Sequence, residues 1–145
     1  MKNIFLFFLI PAVFISCDNR RKDKLADDSA KQTEMALTES TTVQIIDSSY
    51  NFGKITDGEK VEYSYRFKNV GTKPLVVIEA HASCGCTVPQ KPEKPVLPGE
   101  MGFIKIVFDS KGRIGAAHKT ITVSSNAKPE FPLLILTGDV VAKEK

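Results

Sequence analysis

Cys84 and Cys86 are the residues of this chain best suited to chemistry. They sit in Ser83-Cys84-Gly85-Cys86-Thr87, with His81 shortly upstream. In an extended strand, residues i and i+2 face the same way with their Cβ atoms too far apart for a disulfide, so a bridge needs a local turn. Gly85 permits one because it lacks a Cβ. Three chemistries fit the segment. The first is structural: a small disulfide, or two buried thiols, closing a turn at one end of the fold. The second is a metal site, because thiolates from Cys84 and Cys86 with His81 suit Cu(I) or Zn. That set is one ligand short of a closed zinc site, and His118 is the only other histidine. The third is thiol–disulfide exchange, which needs an exposed cysteine of lowered pKa. A small strained ring would be easily reduced. Lys91 and Lys94 are basic residues downstream, and nothing in the spacing places them at the sulfurs.

No other constellation carries a reaction. Asp57-Gly58-Glu59 and Pro98-Gly99-Glu100 read as turns, and their acids would act together only if the fold joined them. His118 reads as a solvent-facing residue at a strand start. There is no Ser/His/Asp set, phosphate loop or metalloprotease motif. The sequence therefore predicts no catalytic residue, no small-molecule substrate and no cofactor beyond a possible copper or zinc at Cys84/Cys86. Net charge is +3, and Lys2 in the leader supplies part of it. That near-balance argues against nucleic acid as a partner.

The remaining cysteine, Cys17, ends a different kind of segment. Met1-Lys2-Asn3 is a short positive start, and Ile4 to Ile15 is an uncharged apolar run too short to span a bilayer. Phe14-Ile15-Ser16-Cys17 then resembles the bacterial lipoprotein box. The resemblance implies cleavage after Ser16 and acyl chains on Cys17, each buried methylene contributing about 0.8 kcal/mol to membrane anchoring. From Asp18 to Thr42 the chain is polar, with Leu25, Met35 and Leu37 its only larger apolar residues. Such a segment buries too little surface to offset its ordering entropy. As a flexible tether it would reach about 25–30 Å. Arg20, Arg21, Lys22 and Lys24 stand beside the lipid, either facing anionic headgroups or simply solvated.

After Val43 the pattern changes. Val61, Tyr63, Tyr65 and Phe67 alternate with Glu62, Ser64, Arg66 and Lys68, a period of two. Pro74 to Ile78 reads as the returning strand. Ile104, Ile106 and Phe108 alternate, as does Lys119 to Ser124. Leu133 to Val141 reads as a last, more buried strand. Turn signals fall near Gly58, Gly71, Gly99, Gly112 and Asn126, and no amphipathic helical stretch appears. The prediction is an all-β, antiparallel, immunoglobulin-like β-sandwich of about seven strands. Its core should draw on Tyr50, Phe52, Phe67, Phe103, Phe108 and Phe131. The expected division is 1–16 signal peptide, 17–42 lipidated cysteine and flexible tether, and 43–145 sandwich.

Several segments together carry a family resemblance. They are Asn51-Phe52-Gly53-Lys54-Ile55, Tyr65-Arg66-Phe67-Lys68-Asn69-Val70-Gly71, Pro74-Leu75-Val76-Val77, Ser83-Cys84-Gly85-Cys86-Thr87, Pro98-Gly99-Glu100, and Val123-Ser124-Ser125-Asn126 followed by Gly138-Asp139-Val140. In order and spacing they resemble the bacterial domain of unknown function 1573, common among Bacteroidetes lipoproteins. The resemblance implies a sandwich similar to major sperm protein over about Ile45 to Val141, and it implies no reaction.

These readings lead to a cell-envelope lipoprotein held to a membrane through Cys17. Its sandwich is expected to be a non-enzymatic binding or structural module that meets another envelope protein through loops or a sheet edge. The alternative is an envelope thiol site at Cys84/Cys86 that binds copper or zinc or exchanges disulfides.

Overall fold

The alternation from Lys60 to Asn69 turns Val61, Tyr65, Phe67 and Asn69 inward and leaves Lys60, Glu62, Ser64 and Arg66 facing water. The same parity repeats in Met101–Asp109, where Ile104, Ile106 and Phe108 point in. Each such strand has one apolar face and needs a second sheet to cover it. A computed structural model describes residues 39–144 and shows how that is met. The expected signal peptide, Cys17 and most of the tether lie outside the described residues.

Eight strands follow in order: β1 (Val43–Ile45), β2 (Ser49–Thr56), β3 (Lys60–Asn69), β4 (Val77–Ala82), β5 (Thr87–Gln90), β6 (Met101–Asp109), β7 (Gly115–Ser125) and β8 (Leu134–Val141). They form two four-stranded sheets, β1-β3-β6-β5 and β2-β8-β7-β4. The immunoglobulin-like sandwich is as the sequence predicts. It has one strand more than expected, and β2 runs parallel to β8 while the other pairs are antiparallel.

The extra strand and the parallel pair share a cause. The chain leaves the first sheet after β1 and joins the second at β2, and Asp47 fixes the crossing. Its backbone N donates to Arg66 O (3.2 Å), and its carboxylate accepts from Arg66 N and from the guanidinium at Nε (2.6 Å) and Nη2 (3.0 Å). Hydrogen bonding by the Arg66 side chain holds the Asp47 carboxyl below the usual carboxylate range. A depressed folded value means that the pair contributes at neutral pH and is lost as acid protonates Asp47. The Arg66 end of the pair is exposed to water, which screens it and keeps the contribution small.

Tyr65, Phe67, Leu75, Ile104, Ile106, Phe108, Ile121, Leu134, Leu136 and Val140 fill the space between the sheets. Tyr65 crosses it, and its hydroxyl donates to Ile135 O at 2.7 Å. Burial pushes that phenol's pKa far up, so it stays a neutral donor. Of the aromatics expected inside, Phe67 and Phe108 are fully buried, and Tyr50, Phe52 and Phe131 pack partly buried against the core. Phe103 is a correction. It is 49% exposed, because Ile104 and Ile106 take the inward parity and leave Phe103 on the outer face.

One end of the sandwich is organised by Asn69, which is fully buried. Its Nδ2 donates to Lys73 O (2.7 Å) and Val96 O (2.9 Å), and its Oδ1 accepts from Gly71 N (3.1 Å). The single proton of Thr41 Oγ1 is shared between Asn69 Oδ1 (3.0 Å) and Lys73 O (2.9 Å). Thr41 is itself buried and bridges to Ala127. The packed chain thus starts slightly ahead of the expected boundary at 43. Gly71 lies so close to Thr41 that a Cβ there would collide with it.

Asn69→Ala should leave several buried groups unpaired and cost about 3 kcal/mol, whereas Tyr65→Phe loses a single bond and costs about 1 kcal/mol. Urea unfolding of the two variants checks the ranking, and equal losses would refute the hub role of Asn69.

Candidate functional site

β4 belongs to one sheet and β5 to the other, so residues 83–86 carry the chain across the edge of the sandwich. Backbone bonds pin both sides of the crossing. Ser83 N donates to Thr120 O (2.8 Å), and Asp109 N donates to Cys86 O (2.9 Å). Between them Thr87 N donates to Cys84 O (3.2 Å), closing the turn that Gly85 permits. Cys84 and Cys86 meet across it in a disulfide, with their Cα atoms 5.3 Å apart. The site lies toward the Lys60–Asp109 end of the sandwich, away from the end where residues 39–42 enter.

The two sulfurs are not equivalent. Cys86 is 7% exposed and belongs to the hydrophobic core, whereas Cys84 packs against that core half-buried. Thr87 Oγ1 lies 3.8 Å from Cys84 Sγ and 3.9 Å from Cys86 Sγ. Bridged sulfurs carry no proton, so the hydroxyl is the donor and shares its single proton between them. Thr87 was not among the residues expected at the site. Its place next to Cys86 at the start of an inward-facing strand was the signal for it.

His81 does not complete a metal site with the cysteines. It faces outward from β4, level with Thr122 of β7, and its Nε2 contacts the Glu79 carboxylate two residues back. Among the described residues no three His, Cys, Asp or Glu side chains are grouped to hold a metal. The bridge also occupies the thiolates that copper or zinc would need. His118 is exposed on β7. Lys91 lines a cleft beside β6.

The two acidic turns are kept apart. Glu59 Oε2 accepts from Thr56 N (2.6 Å) and Glu100 Oε2 from Leu97 N (3.0 Å), so each carboxylate braces its own turn. Glu59 precedes the first residue of β3, while Glu100 O accepts from Asn69 N at its last. The length of the strand, roughly 30 Å, separates them.

A second surface came from parity and not from any motif. Met101, Phe103, Lys105 and Val107 face outward from β6, beside Val88 and Gln90 of β5. Val88 is 55% exposed and Met101 41%. Met101 and Phe103 line a cleft of about 270 Å³ together with Pro92, Val96, Lys91 and Lys105. Lys105 pairs with Glu62 at 2.7 Å, holding that carboxyl below its usual range. The open edge of β5 is poorly suited to pair with another strand. Pro89 has no N–H, and the Thr87 N–H is taken by Cys84 O.

Comparison with known proteins agrees with this architecture. A protein of unknown function from Porphyromonas gingivalis is similar at 16% identity, over 71% of this chain and 47% of that one, with a TM-score of 0.56. This chain thus spans about half its length. The ASH / PapD-like domain of human CEP192 is similar at 19% identity, over 72% of this chain and 89% of that domain, with a TM-score of 0.55. At such identities the likeness is one of fold. No curated protein matches the chain. The family model described as protein of unknown function (DUF1573) matches residues 43–140, which takes in all eight strands but for the last residue of β8. By that match the chain belongs to the DUF1573 family.

Proposed function

We propose that this protein is a lipid-anchored, non-enzymatic binding module of the bacterial cell envelope. The observation that carries the reading is the outer face of β6 and β5. Phe103 and Met101 stand exposed there at alternate positions of β6, and both line a cleft shared with Lys91 and Lys105. Exposed apolar side chains beside a cleft, with charged neighbours, are a common mark of a protein-binding surface. On the opposite sheet Thr122, Ser124 and His118 face out from β7, and the exposed apolar residues Ile78 and Val141 lie apart on β4 and β8. Cys17 carries the lipid in this reading, and the partner is an envelope protein that packs an apolar side chain against Phe103.

A second reading rests on the Cys84–Cys86 bridge. Closing so short a loop stabilises a fold by only about 1–2 kcal/mol in the chain-entropy account. Burying one large core side chain such as Phe67 is worth about 3–5 kcal/mol. A bridge of that size is a weak staple, which favours a role in envelope thiol chemistry.

Cys17→Ala should move the full-length protein from the membrane fraction into the soluble one, and continued tight membrane association would contradict the anchor. In cells, a photo-crosslinking residue at Phe103 should give a discrete protein adduct, and the same residue at Thr122 should give none. Equal labelling from both faces, or none from either, would remove the binding reading.

A further inference from the structure

The disulfide is held unequally at its two ends. Cys86 is anchored in the ladder to β6 through its carbonyl, and its side chain is packed in the core. Cys84 belongs to the crossing between the sheets. Its carbonyl is bonded only across its own turn, to Thr87 N, and its side chain is half-buried. Exchange requires an incoming thiolate to approach one sulfur in line with the bond that breaks, so access selects the sulfur attacked.

We propose, resting on the second reading above, that Cys84 is the sulfur that exchanges and Cys86 the one that leaves and later recloses the bridge. The substrate class is a protein dithiol of the envelope. One thiolate of the dithiol attacks Cys84 Sγ. A new S–S bond forms to Cys84, the Cys84–Cys86 bond breaks, and its electron pair goes to Cys86 as a thiolate. The Thr87 hydroxyl, 3.9 Å from that sulfur and 3.8 Å from Cys84 Sγ, turns to donate to the departing charge. The second thiolate of the dithiol then attacks its own partner sulfur in the mixed disulfide and expels Cys84. Two electrons have passed from the dithiol to the bridge, the dithiol has become a disulfide, and its two protons end on Cys84 and Cys86. In the reverse direction, Cys86 attacks a mixed disulfide on Cys84 and restores the bridge. The arrangement gives Cys84 the encounter with the outside and keeps Cys86 sheltered for closure.

Single-thiol forms of the full-length protein test the assignment. With glutathione disulfide as probe, Cys86→Ser, which leaves Cys84, should form the glutathione adduct about tenfold faster than Cys84→Ser, which leaves Cys86. Equal rates, or a faster Cys86, would overturn it. A parallel measurement needs no variant. The native protein is exposed to reduced glutathione, quenched in acid, and the adduct mapped by peptide mass. Glutathione on Cys84 supports the proposal, and glutathione on Cys86 overturns the assignment while leaving the thiol reading intact. A bridge that no glutathione concentration opens removes both.

Discussion

The buried Asn69 side chain is the constraint on which one whole end of this sandwich depends. A single amide holds Lys73 and Val96 through its two N–H groups and Gly71 and Thr41 through its oxygen. It therefore fixes the loop after β3, the segment that pairs with Leu75, and the entry of the chain from residue 39 onward. Asn126 does similar work across the gap, accepting from Val76 N and donating to Glu39 O and Pro74 O. Asn69 is fully buried and has no water to fall back on, so its loops have few alternative arrangements, whereas Asn126 is half-buried.

Most of the residues that carry the family resemblance are architectural. Phe52 packs directly over Gly138, and Phe67 over Gly102, where in both cases a Cβ would collide with the ring. Asn51 Oδ1 accepts from Gly53 N at the point where the β2–β8 register shifts. Gly99 N donates to Asn69 O, which ties the Pro98-Gly99-Glu100 turn to the same hub. Such residues set where strands turn and how closely they approach. The Cys84-Gly85-Cys86-Thr87 segment stands apart from them. It crosses between sheets already joined by a large apolar core, and it encloses too short a loop to add much stability. The exposed face around Phe103 is likewise surplus to folding, since the inward residues of β6 supply its share of the core.

How much the sequence disclosed follows from what kind of signal each element carried. β3, β6 and β8 were legible because long alternating or continuous apolar runs leave little choice of face. β1 and β5 were not, because three or four residues give no period, and Pro89 argues against a strand that only an edge position allows. β7 starts earlier than Lys119 because Gly115-Ala116-Ala117 have weak strand preference and are held by pairing with β8. β4 begins at Val77, not Pro74, since Leu75 pairs across to Val96 and belongs to neither sheet. Thr41 looked like linker because its role depends on Asn69 and Lys73, far away in the chain. At the site, the cysteine pairing needed only Gly85 and spacing to be foreseen as one option. The outward turn of His81 and the place of Thr87 required the register with β7 and β6.

The central claim is that the core and the Asn69 hub hold the fold while the Cys84–Cys86 bridge remains free to change state. Urea unfolding of the full-length protein, bridged and then reduced, tests this most directly, with thiol titration confirming each state. The account predicts that both forms unfold cooperatively and differ by only about 1–2 kcal/mol. A reduced protein that is unfolded without denaturant would contradict it and make the bridge a structural staple.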